Sequence, residues 1–203
     1  MGVVVISPPE PLVDLALAKK HLRVEEDETG DDALIAAYIA AASSHIDGPG
    51  GWLGRAIGPQ TLELRRSAFA DGDGSDIALP YSPVIDVLSV RYLDDAGVLQ
   101  TVDPAAYEVT RGNVLAPTFN SVWPVARRAA DTVRIHYRAG YVEDPEADPL
   151  IAAVPPAITA AVLLMVGDLY ANRETGVVGT VSADVKMSTT VDALLAPYRT
   201  WTP

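Results

Sequence analysis

The sequence predicts an α+β protein with a mainly helical core, built from N-terminal helices and one long central helix near the C-terminus, into which a small antiparallel β-subdomain is inserted. Three observations carry this expectation. A stretch near the C-terminus repeats apolar side chains at helical spacing, a stretch near the N-terminus does so too, and between them the repeat drops to two. A single domain is expected, with N-terminal helices over residues 12–47, the β-insertion over 60–141, the core helix over 154–174 and a flexible loop with a C-terminal arm over 175–203.

The strongest helical signal is VPPAITAAVLLMVGDLYANRE, where Ile158, Ala161, Val162, Met165, Val166, Leu169 and Tyr170 fall three and four apart on one broad face. Pro155 and Pro156 suit a helix start, because proline's fixed φ fits the first turn and its missing N–H has no partner to lose there. Asn172, Arg173 and Gly176 supply a cation near the C-terminal dipole and a residue able to leave the helix at positive φ. Gly167 and Asp168 interrupt the apolar run well short of the roughly 20 residues a bilayer needs, which makes this a core helix and not a span.

Toward the N-terminus, Ser7–Pro11 is proline-rich and extended, an arm or a strand lying on a neighbour. Asp14 can cap the short helix LALAKKHLR, with Val13 and Ala18 as a weak staple and Leu15 and Leu22 facing inward. After the acidic loop Val24–Asp32, Asp31 can cap DALIAAYIAAASSHID, whose stripe is Ile35, Tyr38, Ile39, Ala42 and Ile46. The break GPGGWLGRAIG is rich in glycine, but a helix precedes it, a strand follows and no lysine is present, so it does not meet the requirements of a phosphate-cradling loop.

From Gln60 onward TLELRRSAF, the stretch around Leu79, VIDVLSVRYL, YEVT and TVRIHYRAGY all read as strands, and Asp94–Gly97 reads as a hairpin turn. In the last of these strands Val133, Ile135 and Tyr137 point one way while Arg134, His136 and Arg138 form a basic stripe on the other face. Glu143–Pro149 is an acidic linker into the core helix. Gly176–Thr190 has no clear period, and Val191–Tyr198 fits one short helix capped by Thr189 or Thr190. Leu194, Leu195, Tyr198 and Trp201 are too apolar to leave in water and require a partner within the chain or outside it.

Composition narrows the function. Acidic side chains number 27 against 15 basic, a formal charge of −12 that disfavours tight non-specific binding to nucleic acid over a broad surface. Cysteine is absent, which removes disulfides and thiolate metal sites, and the N-terminus lacks a signal-peptide pattern, so synthesis without export is expected. His21, His45 and His136 lie on separate elements without ligand spacing. There is no GxSxG elbow, and DGDGSD fails as a calcium loop because Asp76 stands where glycine is needed and Ser82 where a bidentate glutamate is needed. Paired acids such as Glu25 with Glu26 and Asp94 with Asp95 sit in loops and turns, where nothing raises a pKa for acid–base work. Arg127 and Arg128 read as solvated or as meeting an acidic neighbour in an assembly. No catalytic residue, metal or cofactor is expected, and the protein does not read as an enzyme.

Taken in order, LALAKKHLRV, DDALIAAYIAAASSHID, WLGRAIGPQTLEL, ALPYSPVIDVLSVRYLDDAG, VRIHYRAGY, VPPAITAAVLLMVGDLYANRE and LLAPYR resemble the head–tail connector (adaptor) proteins of long-tailed bacteriophages, prophages and gene transfer agents. The most specific pieces are LPYSPV with YRAGY and the AAVLLMVGDLYANRE helix; the DGDGSD turn and the Gly176–Thr190 loop depart from the pattern. The resemblance implies a structural virion protein, assembled in the bacterial cytoplasm into a ring of twelve subunits beneath the portal. That ring would join the DNA-filled head to the next neck or tail protein, a stopper or terminator, and let DNA pass through an acidic lumen without specific binding. It further implies a portal interface at Leu194, Leu195, Tyr198, Arg199 and Trp201. The subunit interface would involve Arg127, Arg128, Arg134 and Arg138, with the Val24–Asp32 loop as an acidic counterpart. A neck stopper or tail-terminator role, and a small soluble binding module without catalytic activity, stay open as alternatives.

Overall fold

The computed structural model describes residues 2–69, 76–172 and 189–200. Its contacts divide the chain into two compact units, Met1–Glu10 with Arg55–Ala153 and Pro11–Gly54 with Val154–Pro203.

Among the described residues, the first unit is all β apart from one 3-10 turn. Its eight strands are β1 (Gly2–Ser7), β2 (Gln60–Arg66), β3 (Ile77–Ala78), β4 (Val84–Leu93), β5 (Leu99–Thr101), β6 (Tyr107–Thr110), β7 (Val114–Pro117) and β8 (Val133–Ala139). A five-stranded antiparallel sheet runs β1-β2-β8-β4-β5, and a three-stranded one runs β3-β7-β6. Strict alternation along β8 buries Val133, Ile135 and Tyr137, and the register sets Leu64 and Val90 on either side of Ile135. These side chains form one core with Leu62, Ile77, Leu79 and Leu115. Tyr137 satisfies its buried hydroxyl by donating to the Pro80 carbonyl at 2.9 Å, and burial pushes its pKa well above the usual phenol value. Phe69 stacks on Trp123 with centroids 4.9 Å apart, closing one side of this core. At Gly140, φ is +134° and an added Cβ would lie 2.5 Å from the Gly58 carbonyl oxygen, so only glycine permits the chain to pass there.

The second unit holds α1 (Leu15–Leu22), α2 (Asp32–Ile46), α3 (Pro156–Ala171) and α4 (Thr189–Leu195), the last followed by a 3-10 turn over Ala196–Tyr198. Asp14 caps α1 by accepting from the Leu17 N–H at 2.6 Å, and α3 begins at Pro156 as its sequence requires. Ile35, Ile39, Ala42 and Ile46 of α2 are buried, as are Ile158, Ala161, Val162 and Val166 of α3 and Val191 and Leu195 of α4. Met165 and Tyr170 are half-buried and Leu169 is exposed, so the stripe of α3 is narrower than its periodicity suggests. Asp31 makes no side-chain cap; it accepts instead from the Tyr170 hydroxyl at 2.5 Å, tying the start of α2 to the end of α3. An added Cβ on Gly167 would stand 3.3 Å from His21 Nε2, which shows how closely α1 approaches α3.

The expectation of a mainly helical core with a small β-insertion is overturned. Described residues include four helices and eight strands, with helix at 29% and strand at 27%. The excess strand comes from elements whose pairing is not local. Val3–Ile6 forms an apolar run with no alternation, and its partner, through Val3 opposite Leu64, lies far along the chain. The short β5 and β7 strands carry too few residues to show a period. Two further expectations fall outside the described residues: the calcium-like turn from Asp71 to Ser75, and the segment from Arg173 through Gly176 to Met187 with the helix stop and loop assigned to it.

Candidate assembly surfaces

One face of the five-stranded sheet is polar, and it contains the basic stripe read from the sequence. Thr61, Arg138 and Asp86 share one cross-strand row; Val4, Glu63, His136 and Ser89 share the next; Arg65, Arg134 and Arg91 share the third. Two of the three basic residues of β8 are matched by acids of their own sheet. Arg138 grips Asp86 with a two-pronged contact, Nε to Oδ1 at 2.7 Å and Nη2 to Oδ2 at 2.6 Å, which holds the guanidinium pKa above its ordinary value. His136 Nε2 meets Glu63 Oε2, and Arg65 Nε meets Glu63 Oε1 at 2.5 Å.

Glu63 is 5% exposed. Burial pushes its carboxyl upward, but the hydrogen bonds and charges of His136 and Arg65 together outweigh that and hold it below the usual carboxylate value. His136 is therefore held against Glu63 on the sheet face. Arg127 and Arg128 are exposed. The Arg127 backbone N–H donates to the Leu93 carbonyl at 2.9 Å, and its Nη1 lies beside Gly97 in the Asp94 turn.

The C-terminal residues divide between inside and outside. Leu195 is fully buried, Leu194 and Tyr198 are half-buried, and the Arg199 guanidinium lies 4.2 Å above the Trp52 ring. The Thr200 N–H donates to the Leu53 carbonyl at 2.8 Å, docking the segment on the glycine-rich turn. The partner these residues require is thus supplied in part by their own chain. Trp201 lies outside the described residues.

A surface that the sequence reading passed over is the turn after β7. Phe119, Val122 and Val125 are 93%, 85% and 75% exposed, while Trp123 between them is anchored on Phe69 and Tyr107. The turn is tied down by the Thr118 N–H donating to the Ala106 carbonyl and the Thr118 hydroxyl donating to Ser121 Oγ, both at 3.0 Å. Three apolar side chains held in water on an anchored turn make a contact surface. The signal available was TFNSVWPVA, an aromatic and two valines spaced by polar residues and proline without strand or helix period.

Among the described residues no group of three His, Asp or Glu side chains is placed to hold a metal, and no helix is long and apolar enough to cross a membrane. An open hollow of about 490 Å³ is lined by Arg23, Val24, Glu25, Asp27, Glu28, Gly30, Asp31 and Tyr170. It is acidic and polar, unlike the mostly apolar pockets that hold small molecules.

Among the described residues, two antiparallel sheets and four helices make up a known fold. No protein-family model and no curated protein matches the chain. Among solved structures, a chain in the neck of an empty gene transfer agent particle computed with C6 symmetry superposes with a TM-score of 0.74 at 24% identity, covering 100% of this chain and 97% of that one. A chain in the virion of a native gene transfer agent particle gives a TM-score of 0.74 at 23% identity, again covering 100% and 97%. A chain in the neck of a native particle computed with C12 symmetry gives 0.68 at 21% with the same coverage. The protein therefore has the fold of these neck and virion chains over its whole length.

Proposed function

We propose that this protein is a non-enzymatic structural subunit of a virion neck, assembling as a ring that connects the portal of a DNA-filled head to the next neck or tail protein. The observation that carries this reading is the end-to-end superposition on chains of gene transfer agent particles, two of them from necks computed with C6 or C12 symmetry. The anchored turn bearing Phe119, Val122 and Val125 supports it, since a free monomer gains nothing from holding such side chains in water. A net charge of −12 suits a channel wall that DNA slides past, because like charges keep the phosphate backbone from adhering. The portal contact is assigned to Leu194, Tyr198, Arg199 and Trp201, with the buried Leu195 acting through the packing of α4.

The test mixes the protein with the portal encoded in the same genome and images the product by negative stain. A ring capping the portal is the expected result. Absence of any complex, with a portal that still binds other neck proteins, would reassign the chain to a stopper or terminator position. Since Val191 and Leu195 belong to the core, the portal contact is best probed by Tyr198→Ala with Arg199→Glu and not by deleting α4.

A further inference from the structure

The third row of the polar sheet face places three arginines side by side. Arg65 on β2 and Arg91 on β4 are both Cα partners of Arg134 on β8, so the three side chains leave one face at steps of about 5 Å. Like charges directly opposite one another destabilise a sheet. The neighbouring acids relieve only one end of the row: Glu63 pairs with Arg65 and meets His136, and Asp86 is held by both prongs of Arg138, so Arg134 and Arg91 gain no acid from them. Arg134 is exposed and, among the described residues, its side chain reaches the Asp131 carbonyl at 3.4 Å and no acid. Arg91 is exposed and has no ionic partner among the described residues.

We infer that this arginine row receives the acidic loop between α1 and α2 of a second copy of the chain, with Glu25, Glu26 and Asp27 as the matching charges. The inference rests on the ring reading above and names the subunit contact within it. The loop is prepared for the role. Lys19 donates from Nζ to the carbonyls of Glu26 and Glu28, at 2.9 and 2.6 Å, and so fixes the loop through its backbone while Glu25, Glu26 and Asp27 stay exposed. A pre-ordered acidic turn loses little entropy on docking. Row and loop are different surfaces of one chain, and that kind of contact closes rings. A nucleic acid fits the row less well, because phosphate backbones favour extended basic tracks and this row is bordered by Glu63 on a protein of charge −12.

The absence of cysteine permits a direct test. One preparation carries Arg134→Cys and a second carries Asp27→Cys; they are mixed under mild oxidation, and the disulfide-linked heterodimer is followed on non-reducing gels. A control pair joins Arg134→Cys to Glu108→Cys, an exposed acid on β6. Trapping about tenfold faster than the control, slowed by Arg91→Glu and by high salt, is the expected result. Trapping at the control rate overturns the contact. Double-stranded DNA bound by the wild type and lost in the Arg91→Glu, Arg134→Glu variant would make nucleic acid the occupant and overturn it as well. Imaging on the portal separates the two readings: rings without trapping sink this contact alone, and the lack of any ring sinks the portal-connector reading on which it rests.

Discussion

Replacing Lys19 by methionine removes one charge from the helical unit and keeps the bulk of the stem. Lys19 is 3% exposed, and its ammonium makes three contacts: the carbonyls of Glu26 and Glu28 and, at 2.9 Å, Asp32 Oδ1. A hydrogen bond from a charged donor contributes about 1.5–3 kcal/mol, but loop carbonyls released by the substitution return partly to water. The Asp32 side chain is 30% exposed, so its ion pair is screened and adds less than a buried pair would. The net loss expected for Lys19→Met is about 2–3 kcal/mol. For a chain of this length that corresponds to a fall in Tm of roughly 5–10 °C. Urea unfolding followed by circular dichroism measures the loss, and amide exchange at residues 24–31 should quicken as the loop comes free. Lys20→Met, one residue on and exposed, should change neither. A loss below about 0.5 kcal/mol, the range of ordinary surface substitutions, with unchanged loop exchange would refute the role given to Lys19.

Three further outcomes are expected. Glu63 has a folded pKa below its unfolded one, so the stability it contributes is present above the unfolded value and is lost as pH falls through the folded value; acid titrations of stability should show a shallower acid limb in Glu63→Gln. Changing Phe119, Val122 and Val125 together to serine should leave Tm within about 2 °C, because exposed positions carry little stability, yet weaken ring or portal association in pull-downs; unaltered association would remove this turn from the interfaces. Gly140→Ala should cost about 1–3 kcal/mol by chemical denaturation, because its Cβ meets the Gly58 backbone and its φ is unsuited to a side chain.

What could be read from the sequence was local in origin. The Pro156 start of α3, the Asp14 cap, the Asp94 turn and the alternation of β8 each depend on neighbours a few residues away, and the structure has all four. The errors came where a distant partner decides. Val3–Ile6 is a strand only because β2 is there to pair with it, and missing it helped make the β portion look like a small insertion. The basic stripe on β8 was visible, but its neutralisation by Glu63 and Asp86 and its alignment with Arg65 and Arg91 depend on the register of three strands. Phe119 looks like any loop aromatic until its neighbour Trp123 is seen to hold the turn in place.

The division of the helical unit across the chain has a consequence for synthesis. On the ribosome α2 is complete at Ile46, but α3, which packs on it, starts only at Pro156, more than a hundred residues later. At about 5–20 residues per second that is an interval on the order of ten seconds. Throughout it α2, with Ile35, Ile39 and Ile46 on its buried face, lacks a helix that packs on it in the finished fold. The nascent chain must keep these isoleucines from other chains until translation passes Ala171, so truncated products ending before Pro156 should be the species that aggregate or occupy chaperones.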